Sequence, residues 1–392
     1  MLNFVFHKGQ SLAFFLTICL FLDILAGMNL PNSITLEPLV RVEPQCPVFG
    51  LCGGCTYQDL PYEEELRLKE QMLRQILDPE LTLHSDVFEE IVPSPEPYHY
   101  RYRLDIGLYR KKTGEVDMGF MKEGKYRVVP IDACAIARKE ISEFLPTLRK
   151  EAIKKMPAHY RTANLVVRMG ADGRIVWGGI GRRSLRMEEG DYLWAVVEGK
   201  KIYFGMETFF QANFSILDVL IKKIRELGVL NADTVFFDLY AGVGFFAICL
   251  GDLVQDVILI EENPYSVEFA KFNIKHHRME HKAKIIHGRV EDQFSFQLAR
   301  AENPRKIAII DPPRKGLEER FIKDIVEKSK EGGKGAEAKN LDALLYLSCY
   351  PRSLARDLKL FCQHGWKIKK IIPFDFFPKT QHLETLVLLF PP

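Results

Sequence analysis

Two patterns of hydrophobic and polar positions divide the chain. Over residues 97–135 the chain resembles a small β domain, because apolar and polar residues alternate in YRYRLDIGLY, which is typical of a strand with one buried face. The runs ANLVVRMG and GRIVWGGI are a second pair of strand-like segments. From about residue 233, continuous apolar runs such as TVFFDLY, DVILIE and KIAIID alternate with helical stretches. Such runs predict a parallel sheet covered by helices on both faces. We therefore predict a small β-rich domain followed by a doubly wound α/β domain.

The predicted domains cover residues 45–200 and 201–392, and an apolar segment with a linker precedes them over 1–44. The run LAFFLTICLFL in this segment is uncharged, but it is shorter than the about 20 apolar residues that span a bilayer. A signal-peptide core, a buried helix and a start codon placed ahead of the true start at Met28 are the alternatives. We take Met28 as the working start.

Composition excludes several function classes. Lysine and arginine number 54 against 52 acidic residues, a formal net charge of +2, which excludes a grossly basic nucleic-acid coat protein but not a local basic groove. A hydrophobic fraction of 47% and a charged fraction of 27% exclude wholesale disorder. Eight cysteines in 392 residues are too few for a small secreted disulfide scaffold.

Three cysteines, Cys46, Cys52 and Cys55, lie in the run CPVFGLCGGC. Glycines in this run let the backbone turn tightly, so the thiolates can converge. Converging thiolates favour a soft metal ion or an iron–sulfur cluster, usually with a fourth ligand, and we predict Cys134 in PIDACAI as that ligand. A disulfide with spare thiols and a redox C-x-x-C pair are the alternatives, and the spacing does not separate zinc from a [4Fe–4S] cluster.

Basic and aromatic residues interleave in the first β-rich stretch. They are Arg101, Arg103, Arg110, Lys111, Lys112, Lys122, Lys125 and Arg127, with Tyr98, Tyr100, Tyr102, Tyr109 and Tyr126. On one sheet face they would bind looped or single-stranded RNA by phosphate contacts and base stacking. An ordinary solvated hairpin face is the alternative.

Candidate cofactor residues lie at predicted strand ends of the α/β domain. The turn YAGVG and Ala247 form G-x-G-x-x-A, and Glu261 ends the next strand, where a carboxylate can hold ribose hydroxyls. A dinucleotide fits this pattern as well as S-adenosylmethionine does. Asp311 in DPPRKG and Cys349 in SCYPRSLARDL follow later strands, at the edge where open α/β sheets bind ligands. Because Cys349 precedes a helix, we expect a lowered thiol pKa.

Five motifs in order, FFQAN, DLYAGVGFF, DPPRKG, SCYPRSLARDL and HLETLVLL, resemble the bacterial RNA uracil-5-methyltransferases. With CPVFGLCGGC and Cys134, the chain is most similar to members that act on 23S rRNA and carry a [4Fe–4S] cluster. The resemblance implies a class I methyltransferase fold with a Rossmann-like sheet, S-adenosylmethionine as cofactor, and C5 of a uridine as target.

The same resemblance implies residue roles. Four residues would contact S-adenosylmethionine: Gln211, Tyr240, Glu261 and Asp311. Cys349 would add to C6 of the uracil, and Glu384 would remove the C5 proton; a salt-bridged or exposed strand residue is the alternative for Glu384. Where the family often places Asp or Asn against the adenine, this chain has Arg289, so the adenine contact is unassigned.

The implied partner is RNA, with 23S rRNA preferred over tRNA, and the implied protein is a cytoplasmic monomer without stable membrane association. Two other classes stay open. An NAD-dependent oxidoreductase would satisfy the glycine turn but leave Asp311 and Cys349 without a role. A catalytically silent RNA-binding module would not need Cys349, Asp311 and Glu384.

Overall fold

The computed structural model describes residues 40–81, 85–121, 128–179, 189–328 and 340–392. The apolar run in the N-terminal segment and four residues of the predicted RNA-binding stretch (Lys122, Lys125, Tyr126 and Arg127) lie outside these ranges. Within them, no helix combines the length and apolar character needed to cross a membrane.

The first half of the chain forms one helix and a small antiparallel sheet with a second helix. The elements are α1 (Tyr62–Leu77), β1 (Arg103–Arg110), β2 (Val116–Met121), β3 (Val128–Pro130), α2 (Lys139–Lys155), β4 (Thr162–Met169) and β5 (Ile175–Gly179). The strand order is β3-β2-β1-β4-β5. Ile141, Leu145 and Leu148 of α2 follow helical spacing and share one core with Leu104 and Ile106 of β1, as expected for an amphipathic helix on a half-buried sheet.

A hairpin follows, made of β6 (Leu193–Val197) and β7 (Lys200–Phe204). The remaining elements are α3 (Leu217–Glu226), β8 (Thr234–Leu239), α4 (Phe245–Leu250), β9 (Asp256–Glu261), α5 (Pro264–His276), β10 (Ala283–His287), α6 (Val290–Arg300), β11 (Arg305–Ile310), α7 (Glu319–Lys328), β12 (Ala343–Ser348), α8 (Pro351–Gln363), β13 (Lys367–Phe374) and β14 (Glu384–Phe390). Short 3₁₀ turns cover Ser85–Val87, Glu189–Asp191 and Gly251–Leu253.

The second half is built on a seven-stranded sheet of order β10-β9-β8-β11-β12-β14-β13. Strands β8 to β12 are parallel, whereas β14 is antiparallel to both of its neighbours. Alternate residues of one strand enter different cores, such as Phe236 on one face and Phe237 on the other. This confirms the predicted doubly wound sheet, and because β14 runs backwards, it begins at the edge where the parallel strands end.

Contacts cross the predicted boundary between residues 200 and 201, a division that stays a prediction. Leu193 and Phe204 of the hairpin belong to the core on one face of the large sheet. Leu73 and Leu77 of α1 belong to the core on the opposite face. Segments from the first half of the chain therefore complete both cores of the second half.

Candidate active site

The predicted catalytic and cofactor residues of the large sheet gather at one edge. They are Tyr240 directly after β8, Glu261 at the end of β9, Asp311 directly after β11, Cys349 directly after β12, and Glu384 at the start of β14. In the β12–β14 ladder, Ser348 pairs with Thr385, so the next positions outward are Cys349 and Glu384. The reversed strand thus brings a thiol and a carboxyl group from distant parts of the chain side by side.

Burial controls the charge of the two carboxyl groups beside Cys349. Glu384 is 3% exposed, and its Oε2 has no hydrogen-bond partner among the described residues. Burial, followed by the charge of Asp311, raises the pKa of Glu384 well above its usual range, while Arg314 opposes the shift. Burial also raises the pKa of Asp311 to about 7. Both shifts favour the neutral form of the carboxyl group and make each carboxylate, once ionised, a stronger base.

The thiol of Cys349 differs from the expectation. Burial raises its pKa to about 11, Glu384 and Asp311 add to the increase, and Arg314 lowers it through its charge and a hydrogen bond. The predicted lowering by the start of α8 is wrong for this structure because desolvation and two carboxyl groups outweigh the helix terminus. Arg314 was not singled out from the sequence; its place in DPPRKG, three residues after Asp311, was the available signal.

The glycine turn forms an open cradle beside Glu261. Gly242 and Gly244 have positive φ values of 54° and 85°, a region that L side chains rarely adopt. A Cβ atom built on Gly242 would meet no atom within 4 Å, so space lies in front of the turn. Glu261 Oε2 accepts from Gly242 N at 2.8 Å and Oε1 accepts from Asn263 N at 2.7 Å. These residues fit the ribose of S-adenosylmethionine, since each carboxylate oxygen retains a free lone pair.

Tyr240 and Arg289 belong to one polar group next to this turn. The Tyr240 hydroxyl donates to Glu291 Oε1 at 2.8 Å. Arg289 Nη2 lies 2.7 Å from Glu318 Oε1 and 3.4 Å from Glu291 Oε2. Arg289, which departs from the family pattern, is therefore held by two carboxylates. One of them, Glu291, also accepts from Tyr240, a predicted cofactor contact.

Gln211 follows a loop that a fully buried arginine holds in place. Arg168 of β4 donates to the carbonyl oxygens of Gly205, Thr208 and Phe210, the last two at 2.7 and 3.3 Å. Its guanidinium carbon lies 4.7 Å from the ring centroid of Phe204. Nothing in the sequence pattern points to Arg168, because a charged residue in a strand normally faces solvent.

The four predicted metal ligands, Cys46, Cys52, Cys55 and Cys134, line one cavity of about 60 Å³. All four are unpaired thiols. Burial is the main cause that raises the pKa of Cys55 to about 12, and the neighbouring cysteines raise it further. No three His, Cys, Asp or Glu side chains of the described residues are arranged to hold one metal ion. Four thiols around one cavity are the donor set that zinc or an iron–sulfur cluster takes, and which group these cysteines hold stays a prediction.

The predicted RNA-binding face is partly used for internal contacts. Tyr100 is fully buried, and its hydroxyl donates to Pro378 O at 3.0 Å. Tyr102 stacks on Phe214 with ring centroids 3.8 Å apart, and Arg103 pairs with Asp105. The role of this face in RNA binding stays a prediction.

The sequence of the chain is similar to those of known RNA methyltransferases. The model of the family described as tRNA (Uracil-5-)-methyltransferase matches residues 185–391. An uncharacterized RNA methyltransferase of Caldanaerobacter subterraneus is 28% identical over 89% of this chain and 85% of that protein. The tRNA (uracil(54)-C(5))-methyltransferase of Schizosaccharomyces pombe is 29% identical over 88% of this chain and 65% of that protein.

A solved structure shares the fold. It is the Pyrococcus abyssi tRNA (uracil-54, C5)-methyltransferase in complex with S-adenosyl-L-homocysteine, with a TM-score of 0.63, 24% sequence identity and 86% coverage of both chains. The matched family region contains the glycine turn, Asp311, Cys349 and Glu384. The oxidoreductase and silent-binder alternatives are therefore set aside: the chain belongs to the RNA uracil-5-methyltransferase family and is an S-adenosylmethionine-dependent enzyme.

Proposed function

We propose that this enzyme methylates C5 of a uridine through a covalent bond between Cys349 and C6 of the uracil. The observation that carries the proposal is the adjacency of Cys349 and Glu384 across the β12–β14 ladder. The buried Oε2 of Glu384, which has no partner among the described residues, supports a role as proton acceptor, because an unsatisfied buried carboxyl oxygen is costly without a functional reason.

The chemistry follows from the weak nucleophilicity of C5. Addition of the Cys349 thiolate forms a C6–S bond and gives an enolate that is electron-rich at C5. S-adenosylmethionine supplies an electrophilic methyl group, to which C5 bonds with release of S-adenosylhomocysteine. The ionised carboxylate of Glu384 then takes the C5 proton, and its raised pKa makes it a stronger base for this step. The electron pair of that C–H bond restores the C5–C6 double bond and expels the Cys349 thiolate.

Electrostatics disfavours two negative charges in the Cys349–Glu384 pair at the same time. A charged Glu384 raises the pKa of Cys349, so ionisation of one group opposes ionisation of the other. Arg314 lowers the pKa of both groups. We infer that Arg314 stabilises both reactive forms, the thiolate of Cys349 that attacks C6 and the carboxylate of Glu384 that accepts the C5 proton.

We propose that Gln211, Tyr240, Glu261 and Asp311 bind S-adenosylmethionine. Support comes from the open space in front of Gly242 and from the carboxylate of Glu261 at the same turn. Glu261 would accept the ribose hydroxyls, and Asp311 would lie against the part of the cofactor that faces the reacting carbon.

We further propose that Cys46, Cys52, Cys55 and Cys134 hold a [4Fe–4S] cluster in a monomeric cytoplasmic protein. The four cysteines favour 23S rRNA as the substrate, because the family members that they resemble carry such a cluster and act on rRNA. The names of the Schizosaccharomyces pombe and Pyrococcus abyssi proteins support a second candidate, a uridine of tRNA.

The test uses anaerobically purified protein, labelled S-adenosylmethionine, and transcripts of 23S rRNA and tRNA. Nucleoside mass spectrometry should find 5-methyluridine, and fragment mapping identifies the RNA. Cys349→Ala should abolish the product, Glu384→Gln should accumulate a protein–RNA adduct, and the control Cys362→Ala should stay active. Methylation at another atom, or an active Cys349→Ala, would overturn the mechanism.

A further inference from the structure

Four charged side chains are buried together beside the cysteine loop. Glu65, Lys69 and Asp375 are fully buried and Lys379 is 3% exposed. Lys69 Nζ lies 2.8 Å from Glu65 Oε1 and 2.7 Å from Asp375 Oδ1. Lys379 Nζ lies 3.1 Å from Glu65 Oε2, an ion pair without hydrogen-bond geometry. This buried charge cluster contains two cations and two anions, so it is balanced, and removal of one member leaves an uncompensated buried charge.

Lys379 joins the cluster to the cysteine loop through its backbone. Its carbonyl oxygen accepts from Thr56 N at 2.8 Å and Tyr57 N at 3.1 Å, directly after Cys55. Its own N–H donates to Glu65 Oε1 at 2.5 Å. Lys379 has a φ of 66°, which is uncommon for a residue with a Cβ and persists where surrounding contacts enforce it.

The connection between β13 and β14, residues 375–383, leads directly into Glu384. It is bonded to three other parts of the chain: Tyr62 Oη donates to Asp375 Oδ2 at 2.9 Å, Tyr100 Oη to Pro378 O at 3.0 Å, and Asn213 Nδ2 to Phe376 O at 3.1 Å. The Oε2 of Glu384 itself has no hydrogen-bond partner in the described part of the chain. The position of that carboxyl group therefore depends on the backbone at the start of β14, which is fixed by this connection together with the ladder pairs of Glu384 with Phe374 and of Thr385 with Ser348.

We propose that Lys379 is a positioning residue for Glu384, and that through Lys379 the cysteine loop sets the geometry of proton removal. The proposal rests on the proposed function, in which Glu384 is the base. A displaced carboxyl group slows removal of the C5 proton, whereas the attack of Cys349 on C6 does not use that group. Loss of the positioning should therefore lengthen the life of the covalent adduct.

The experiment compares Lys379→Gln with the wild-type enzyme in steady-state methylation. We expect turnover to fall about tenfold, because small misplacements of a catalytic group cost this much or more. We also expect a methylated protein–RNA adduct on denaturing gels, at several times the wild-type amount. Lys379→Arg, which keeps the charge, should recover most of the turnover. The double variant Lys379→Gln with Glu65→Gln restores charge balance and should recover part of it.

Two further variants keep the test decisive. Tyr100→Phe removes one hydrogen bond to the connection without changing charge, so it should fold and accumulate adduct to a smaller degree, and it decides the question if Lys379→Gln does not fold. Lys359→Gln removes an exposed ion pair with Glu80 and should match the wild type. The inference is overturned if Lys379→Gln slows adduct formation and adduct release equally, or if its turnover is unchanged from the wild type.

Failure of the proposed function gives a different result. If Glu384→Gln traps no adduct, the assignment of the base fails. If Glu384→Gln traps adduct while Lys379→Gln and Tyr100→Phe do not, only the positioning role of Lys379 fails.

Discussion

At the scale of single residues, ionisation of Glu384 and ionisation of Cys349 oppose each other. With a thiol pKa of about 11, Cys349 is almost entirely protonated at neutral pH, so adventitious alkylation and oxidation are slow. Arg314 partly offsets the increase in pKa, because its guanidinium group lowers the pKa of both Cys349 and Glu384. The site thus keeps a nucleophile that is weak in the free enzyme.

We predict that alkylation of Cys349 by iodoacetamide in the free enzyme accelerates with pH and reaches half-maximal rate near pH 11. The sign follows from thiolate chemistry, since the thiolate fraction rises about tenfold per pH unit below the pKa. Arg314→Gln should slow alkylation at a given pH, because it removes the group that lowers this pKa. Peptide mass spectrometry measures the rate, with Cys362 as internal reference. A midpoint below the ordinary thiol value would mean that the helix terminus prevails.

Residues at strand ends were accessible from the sequence, whereas buried charges were not. Cys349 and Asp311 directly follow apolar runs, and the resemblance of the motif HLETLVLL to the family identified Glu384. Arg168 and Lys379 carry no such signal, because a charged residue is normally exposed and only tertiary contacts bury it. The prediction of a lowered pKa for Cys349 was wrong for the same reason: the sequence shows where the helix starts but not how far the thiol is buried.

At the scale of elements, α1 shows what a periodic pattern can and cannot predict. The apolar residues of α1 recur at helical spacing, and its buried positions include Leu73 and Leu77 at i and i+4. The pattern does not say which surface covers that face. In the structure that face lies beside α8 and joins the core on one side of the large sheet, rather than the core of the small sheet that follows α1 in sequence.

We predict that Leu73→Ala destabilises the protein by about 2–4 kcal/mol, the usual cost of a leucine cavity in a well-packed core. Leu73 is fully buried in the core that α1 shares with one face of the large sheet. Gln75→Ala, at an exposed position of the same helix, should change stability by less than about 0.5 kcal/mol. Urea unfolding of both variants measures the difference. Equal stability of Leu73→Ala and the wild type would mean that α1 is not docked in solution.

At the scale of the whole molecule, the cysteine site joins segments that are distant in sequence. Cys46, Cys52 and Cys55 come from one loop, and Cys134 comes from the region after β3. A bound cluster would cross-link these segments and stabilise the folded state, since the unfolded chain cannot hold the same arrangement.

We predict that anaerobically purified protein contains about four irons per chain, and that Cys134→Ser loses most of them and unfolds at a lower temperature. Cys362→Ser, at an exposed position of α8, should keep the wild-type iron content. Iron and sulfide analysis with thermal unfolding measures both effects. One zinc per chain would refute the cluster, and full iron content in Cys134→Ser would refute the fourth ligand.

The docking of the first half of the chain on the last strands has a consequence for protein synthesis. Phe88 and Val92 form bridges to Ile371 and Phe374, and the apolar face of α1 is covered by the same end of the chain. A nascent chain therefore carries exposed apolar surface until nearly all of it has left the ribosome. Contacts of such large sequence separation slow folding, so the newly made enzyme depends on protection from aggregation during translation, and its N-terminal half alone is a poor target for expression.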